Sequence, residues 1–213
     1  MTPKLRNFLY RTLTYFVGGV IFFGAWFLGT ASFLCMLFFI FGYVLLVEWP
    51  PLIARWRAAG ILFSVFYPFM PMMMLSWIIY TTQCSIISLW PFLIAWSYDT
   101  GAYLAGSLIG RHKICPQLSP GKSWEGLMGG LCTTAICLLL LMPESSWYLL
   151  LVRAAGYTAL AFFGDLFISW LKRKAQLKDT GAILPGHGGL LDRGDSVLFV
   201  APAVLIEILI QTR

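Results

Sequence analysis

Residues Gly164 to Asp195 read GDLFISWLKRKAQLKDTGAILPGHGGLLDRGD, and the rest of the chain is understood from this stretch outward. It gathers four carboxylates, five basic side chains, one His and six Gly. The surrounding chain has a mean hydropathy of +0.80, and charged residues make up only 11% of it. Ionised groups are costly near hydrocarbon, so a dense polar island in such a chain reads as functional. Gly-rich turns carrying Asp and Lys/Arg suit phosphates and metals. Carboxylates hold Mg²⁺, and cations meet phosphate oxygens.

Either side of the island the chain is built for a bilayer, with 59% hydrophobic and 16% aromatic residues among 213. Apolar runs long enough to cross fall at about 13–29, 32–49, 59–80, 85–106, 126–142, 147–171 and 196–211. The first follows Lys4, Arg6 and Arg11 and reads as an uncleaved helix rather than a signal peptide. Pro68 and Pro71 predict a kink or break in the third. The expected fold is therefore all-α, a polytopic transmembrane helix bundle of about seven spans with a polar active-site cavity at the cytosolic side. A cytosolic N-terminus puts nearly every Lys and Arg on the inner loops, leaving Arg153 and Arg213 outside, as the positive-inside rule demands. The five Cys form no C-x-x-C pair and read as packing residues.

The individual motifs carry competing readings. Asp165 lies about 10 Å along the helix from Lys172. It is either a buried carboxylate paired with a neighbouring helix or a ligand at the floor of a polar cavity. An ionised Asp in hydrocarbon costs about 2.5–3.5 kcal/mol, which favours the second reading. Asp192 and Asp195 flank Arg193 before the last span. Asp195 or Ser196 caps that helix, or the carboxylates meet a metal that bridges to an anion, and both readings hold together. His187 reads first as a loop residue, whereas Gly188 and Gly189 let backbone N–H groups approach phosphate. Gly121-Lys122-Ser123 is similar to part of a P-loop, but Pro116 stands where the first Gly belongs and no preceding soluble strand is evident, so a P-loop is excluded. Lys122 then remains as a cation on a loop. Tyr98-Asp99 and Gly164-Asp165 partly match an intramembrane aspartyl protease, although Phe162 replaces its first Gly.

In order along the chain, these residues resemble the phosphatidate cytidylyltransferase (CDP-diacylglycerol synthase) family. Its C-terminal signature is matched by Ser169, Lys172-Arg173, Lys178-Asp179, Gly181, Leu184-Pro185, His187-Gly188-Gly189, Asp192-Arg193 and Asp195. An upstream block is matched from Asp99-Thr100-Gly101-Ala102-Tyr103 to Ser119-Pro120-Gly121-Lys122-Ser123-Trp124-Glu125-Gly126. Two departures stand out: Ile168 where many members carry Glu, and Gly194 where they carry an apolar residue. The chain is also short for the family, which implies fewer N-terminal spans.

The resemblance implies a membrane-bound nucleotidyltransferase that makes CDP-diacylglycerol and pyrophosphate from CTP and phosphatidic acid, with Mg²⁺ and room for a second cation. It implies Asp165, Asp192 and Asp195 as metal ligands, joined by Asp99 and Asp179. Catalytic roles fall to Asp165, Lys178, Asp192, Arg193 and Asp195. Substrate binding falls to Ser119, Lys122, Lys172, Arg173, His187, Gly188 and Gly189. The implied partners are CTP, phosphatidic acid, the bilayer and a second copy in a homodimer, with no nucleic acid. The implied location is a bacterial-type inner membrane with the active site facing the cytoplasm. The whole chain, 1–213, is expected to form one membrane domain, with spans in 1–95 and the catalytic part in 96–213. The alternatives are the aspartyl protease using Asp99 and Asp165, a transporter using the same pair as an ion path, and a CTP-dependent lipid kinase needing a base such as His187.

Overall fold

The computed structural model describes residues 3–143, 145–183 and 188–211, and the side chains of 3–11, 57 and 58 are outside that description. The elements follow from the apolar runs. They are α1 (Pro3–Phe27), α2 (Thr30–Tyr43), α3 (Trp49–Ile53), α4 (Arg57–Ser64), α5 (Met70–Thr82), α6 (Trp90–Ile109), α7 (Trp124–Leu141), α8 (Trp147–Lys174) and α9 (Leu191–Gln211). Five runs are long and apolar enough to cross a membrane: Thr30–Trp56, Ala59–Thr82, Trp124–Leu141, Trp147–Lys174 and Leu191–Gln211. With the shorter apolar run Thr12–Phe27, these are roughly consistent with the expected figure of about seven. The chain is an all-α transmembrane protein.

Three boundaries depart from simple hydropathy or explain it. The third run breaks at Tyr67 (φ −152°, ψ 129°), directly before Pro68, because the proline ring drives the preceding residue out of the helical region. Pro71 instead sits in the first turn of α5, where no N–H is missed. Lys172, Arg173 and Lys174 occupy the last turn of α8, not a loop, where their charges offset the negative end of the helix dipole. Gln176 takes a positive φ of 60° and the Leu177 N–H bonds to the Lys172 carbonyl at 2.8 Å, so the helix stops there. The last helix starts at Leu191, five residues before the apolar run begins. Asp192, Asp195 and Ser196 therefore lie inside the helix, and neither Asp195 nor Ser196 is the cap expected from the sequence.

The chain divides into two compact units. The first comprises residues up to Ser88 together with Leu171–Gly194. Its core is Phe33, Leu37, Phe41 and Val44 from α2 and the π-helical turn after it, with Leu75, Ile78 and Ile79 from α5. Trp49 Nε1 donates to Ser64 Oγ at 2.7 Å, tying the short α3 to α4.

The second unit comprises Leu89–Trp170 and the chain from Asp195 on. Here α6 and α7 meet backbone to backbone. A Cβ on Gly101 would lie 2.1 Å from Thr133 Oγ1, and one on Gly129 would lie 2.4 Å from Ala105 Cβ. Only glycine permits that approach, the small-residue contact that lets helices associate where there is no hydrophobic drive. Thr133 Oγ1 donates across it to the Ser97 carbonyl at 2.8 Å. Large apolar side chains such as Leu108 and Leu140 stand exposed on this unit, as a lipid-facing surface requires.

Candidate active site

In the second unit, three helices and a loop bring charged groups together. Asp99 comes from α6, Asp165 from α8 and Asp195 from α9, while Lys122 is supplied by the loop that ends at the cap of α7. That cap is Ser123, whose Oγ accepts the Gly126 N–H at 3.1 Å, and it fixes the preceding lysine. Lys122 Nζ forms an ion pair with Asp165 Oδ2. Its ammonium lies 5.4 Å from the centre of the Tyr98 ring and 5.9 Å from that of Phe162. Ser169 Oγ donates to the other Asp165 oxygen at 3.4 Å. Ser196 Oγ donates to Asp99 Oδ1 at 3.3 Å, and the Ser196 N–H donates to Asp195 Oδ1 at 2.8 Å. Asp195 is buried and lies within electrostatic reach of Asp165, Asp99 and Lys122. Burial opposes the Lys122 charge, but Asp165, with Asp99 behind it, outweighs burial and holds the lysine pKa above its ordinary range.

Three carboxyl groups thus face one ammonium in a largely enclosed place. Among the described residues, no three His, Cys, Asp or Glu side chains are close enough to hold a metal by themselves. That is compatible with Mg²⁺, which keeps its waters and takes one or two carboxylates plus substrate phosphates. The hard oxygen donors of Asp99, Asp165 and Asp195 fit such an ion. The Tyr98 hydroxyl is buried and donates to no acceptor among the described residues, so the site also holds an unused donor. An aspartyl protease fits less well, since its two carboxyls must share a proton and here Asp165 is ion-paired with Lys122.

The first unit places the remaining signature residues differently. Asp192 Oδ1 accepts Lys172 Nζ at 2.7 Å, while Oδ2 accepts the N–H groups of Thr180 at 2.9 Å and Gly189 at 3.2 Å. Both oxygens are therefore engaged, in a clamp across the two ends of the signature loop. Gly188 has φ +83°, and a Cβ there would lie 2.9 Å from Asp192 Oδ2, so glycine is required on both counts. Arg173, Lys178, Asp179 and Arg193 are exposed, and Ser119 of the second unit is half-buried. His187 lies outside the described residues.

Two groups escaped the sequence reading. Glu48, fully buried in the first unit, accepts the Leu190 and Leu191 N–H groups at 2.8 Å each. The signal was present, for Glu48 is the only acidic residue before Asp99. Its place at the end of an apolar run beside Trp49 does not say which backbone groups it meets. In the second unit, Arg153 is ion-paired with Glu207, and Tyr157 Oη donates to the same carboxylate at 2.8 Å. An Arg and a Glu on separate apolar helices give no sign in sequence that they meet.

A model of the cytidylyltransferase family matches residues 4–210. The chain belongs to that family. Among curated relatives, it is similar to the phosphatidate cytidylyltransferase of Staphylococcus epidermidis, with 47% identity over 129 residues, 58% of this chain and 49% of the relative. The enzyme of that name from Staphylococcus saprophyticus is 45% identical over 127 residues, covering 58% of this chain and 48% of the relative. That of Staphylococcus aureus is 46% identical over 129 residues, covering 58% and 49%. The chain spans about half the length of the curated relatives it matches. Membership in this family supports neither the protease nor the lipid kinase.

Proposed function

We propose that this chain transfers a cytidylyl group from CTP to phosphatidic acid, forming CDP-diacylglycerol and pyrophosphate at the cytosolic side of a membrane. The observation that carries the reading is Lys122 held among Asp99, Asp165 and Asp195 in a member of the cytidylyltransferase family. An oxygen of the phosphatidate attacks the α-phosphorus of CTP. The bond from that phosphorus to the oxygen bridging to the β-phosphate breaks, and pyrophosphate leaves. The nucleophile has a second pKa near 6 and is largely ionised already, so no strong base is needed. The obstacle is bringing two anions together, which cations and hard metals relieve by neutralising charge.

The proposed roles follow. One or two of the carboxylates of Asp99, Asp165 and Asp195 would hold Mg²⁺ together with substrate phosphates, and the ion would supply neutralisation of phosphate charge. Lys122 exchanges its bond to Asp165 for a phosphate oxygen. The Tyr98 hydroxyl supplies a further donor. Asp192 keeps Lys172 and the signature loop in place. The exposed Arg173, Lys178 and Arg193 add positive charge that suits anionic substrates, consistent with the Lys/Arg bias of the inner loops. The test is purified full-length protein in micelles with labelled CTP, Mg²⁺ and phosphatidic acid. CDP-diacylglycerol and pyrophosphate should appear in equal amounts. Release of CDP, or no consumption of CTP, overturns the reading.

A further inference from the structure

Glu48 is a carboxylate with no place in the reaction just described, and it is fully buried. Among the described residues it forms no ion pair with Lys or Arg within 4.0 Å. Its charge is met by backbone dipoles instead. Oε1 accepts the Leu190 N–H and Oε2 the Leu191 N–H, each at 2.8 Å, and the Thr180 hydroxyl donates to Oε2 at 3.2 Å. The N-terminus of α9 is thus capped by a residue 143 positions away.

The chain is shaped to admit this carboxylate. A π-helical turn, Val44–Glu48, joins α2 to α3 and adds a residue to the helical turn, a device that re-aims side chains. A Cβ on Gly181 would lie 2.7 Å from Glu48 Oε1. One on Gly189 would lie 2.7 Å from Oε2 and 2.1 Å from Thr180 Oγ1. Both strands of the signature loop therefore close on Glu48 through glycine. The same strands, at Thr180 and Gly189, are also the donors to Asp192.

A packing role alone does not call for a carboxylate. An apolar side chain of similar volume would avoid the desolvation of a buried charge. What the carboxylate adds is a pair of acceptors that fix two successive N–H groups and a hydroxyl from the opposite strand. We propose that Glu48 is a positioning residue for nucleotidyl transfer, its carboxylate fixing Thr180–Gly181 against Gly189–Leu191 so that Asp192 and Lys172 keep one geometry. This rests on the function proposed above. A corollary is that Glu48 already occupies the anion-binding end of α9, so a substrate phosphate does not sit there.

The test uses full-length Glu48→Gln and Gly189→Ala in micelles. The first turns an acceptor into a donor, and the second forces the strands apart with Glu48 intact. Each variant is assayed for kcat and KM for CTP, for amide hydrogen exchange and for thermal midpoint. In both, kcat should fall by about a hundredfold, as a misplacement of about 1 Å in a reacting geometry does, with KM little changed. Exchange should rise in peptides covering 180–191 and stay as in wild type across α7. The double variant should lose little more than either single one. Wild-type kcat in Glu48→Gln overturns the proposal. So does faster exchange throughout the protein, which would make Glu48 a general stability residue. Should Glu48→Gln fail to fold, Gly189→Ala decides by the same criteria. If the wild type makes no CDP-lipid, the function reading has failed, and the exchange pattern still judges whether Glu48 holds the loop.

Discussion

The two polar clusters of this protein use the same residue types to opposite ends. Around Glu48 and Asp192 in the first unit, the carboxylate oxygens are taken by backbone N–H groups, a hydroxyl and one lysine. Around Asp165 in the second unit, Asp99, Asp165 and Asp195 meet the Lys122 ammonium and the Ser169 and Ser196 donors, and a buried tyrosine hydroxyl donates to nothing described. A saturated cluster holds backbone in place and has little left to give a ligand. A cluster with crowded carboxyl groups and an unused donor is costly alone and is relieved by a ligand of opposite character. The difference assigns scaffold work to the first and chemistry to the second.

The largest expected effect tests that assignment head on. Asp165→Asn should lower the initial rate of CDP-lipid formation by roughly a hundredfold or more while the thermal midpoint stays near that of wild type. Asp192→Ala should lower the rate as well, through the loop geometry it shares with Glu48, and unlike Asp165→Asn it should also cost stability. It strands the Thr180 and Gly189 N–H groups, at a cost of about 1–3 kcal/mol, and lowers the midpoint by several degrees. Melting curves and initial rates on the same preparations check both. If Asp165→Asn melted early but kept its rate, or Asp192→Ala kept both its midpoint and its rate, the division of roles would fail.

Much of this was legible in the sequence because the membrane makes some residues conspicuous. Asp99 and Asp165 stand out in apolar runs, where an ionised group needs a reason, and Pro68 announces the break at Tyr67. The pairing of Lys122 with Asp165 was not legible, since it depends on how α7 and α8 are placed and no local pattern encodes that. The start of α9 was missed for a related reason. Leu191-Asp192-Arg193-Gly194-Asp195 is too polar to read as a span, and its helical donors are satisfied from Glu48, far away in sequence. Local rules look for a cap within a few residues.

Two glycines of the signature sharpen the picture of the first unit with a smaller effect. Gly188 holds φ +83° against Asp192, whereas Gly194 lies inside α9 with nothing within 4 Å of the place a Cβ would take. Gly188→Ala should cost about 1–2 kcal/mol from the left-handed backbone alone. Gly194→Ala should gain about 0.5–1 kcal/mol by restricting the unfolded chain. Thermal midpoints in one detergent decide it. A loss at Gly194 equal to that at Gly188 would mean that the start of α9 is crowded, and that its departure from the family pattern answers a packing need.

The smallest effect concerns the charge on Lys122, and its sign follows from linkage. In the folded protein the Asp165 carboxylate outweighs burial and holds the lysine pKa above the ordinary 10.5. A group whose pKa is raised on folding stabilises fully below its unfolded value, and that stabilisation is lost as pH climbs through the folded value. The difference in thermal midpoint between wild type and Lys122→Met should therefore be flat from about pH 7 to about pH 9 and shrink only beyond the ordinary lysine range. Stepwise alkaline melting of the two proteins measures it. The exchange proposed for Lys122, from Asp165 to a phosphate, needs an ammonium throughout that flat range. A difference already shrinking between about pH 7 and about pH 9 would mean that burial had won and the lysine was losing its proton. The second unit would then hold a neutral amine beside three carboxylates, and the contrast between a saturated scaffold and a charged reaction site would lose its second half.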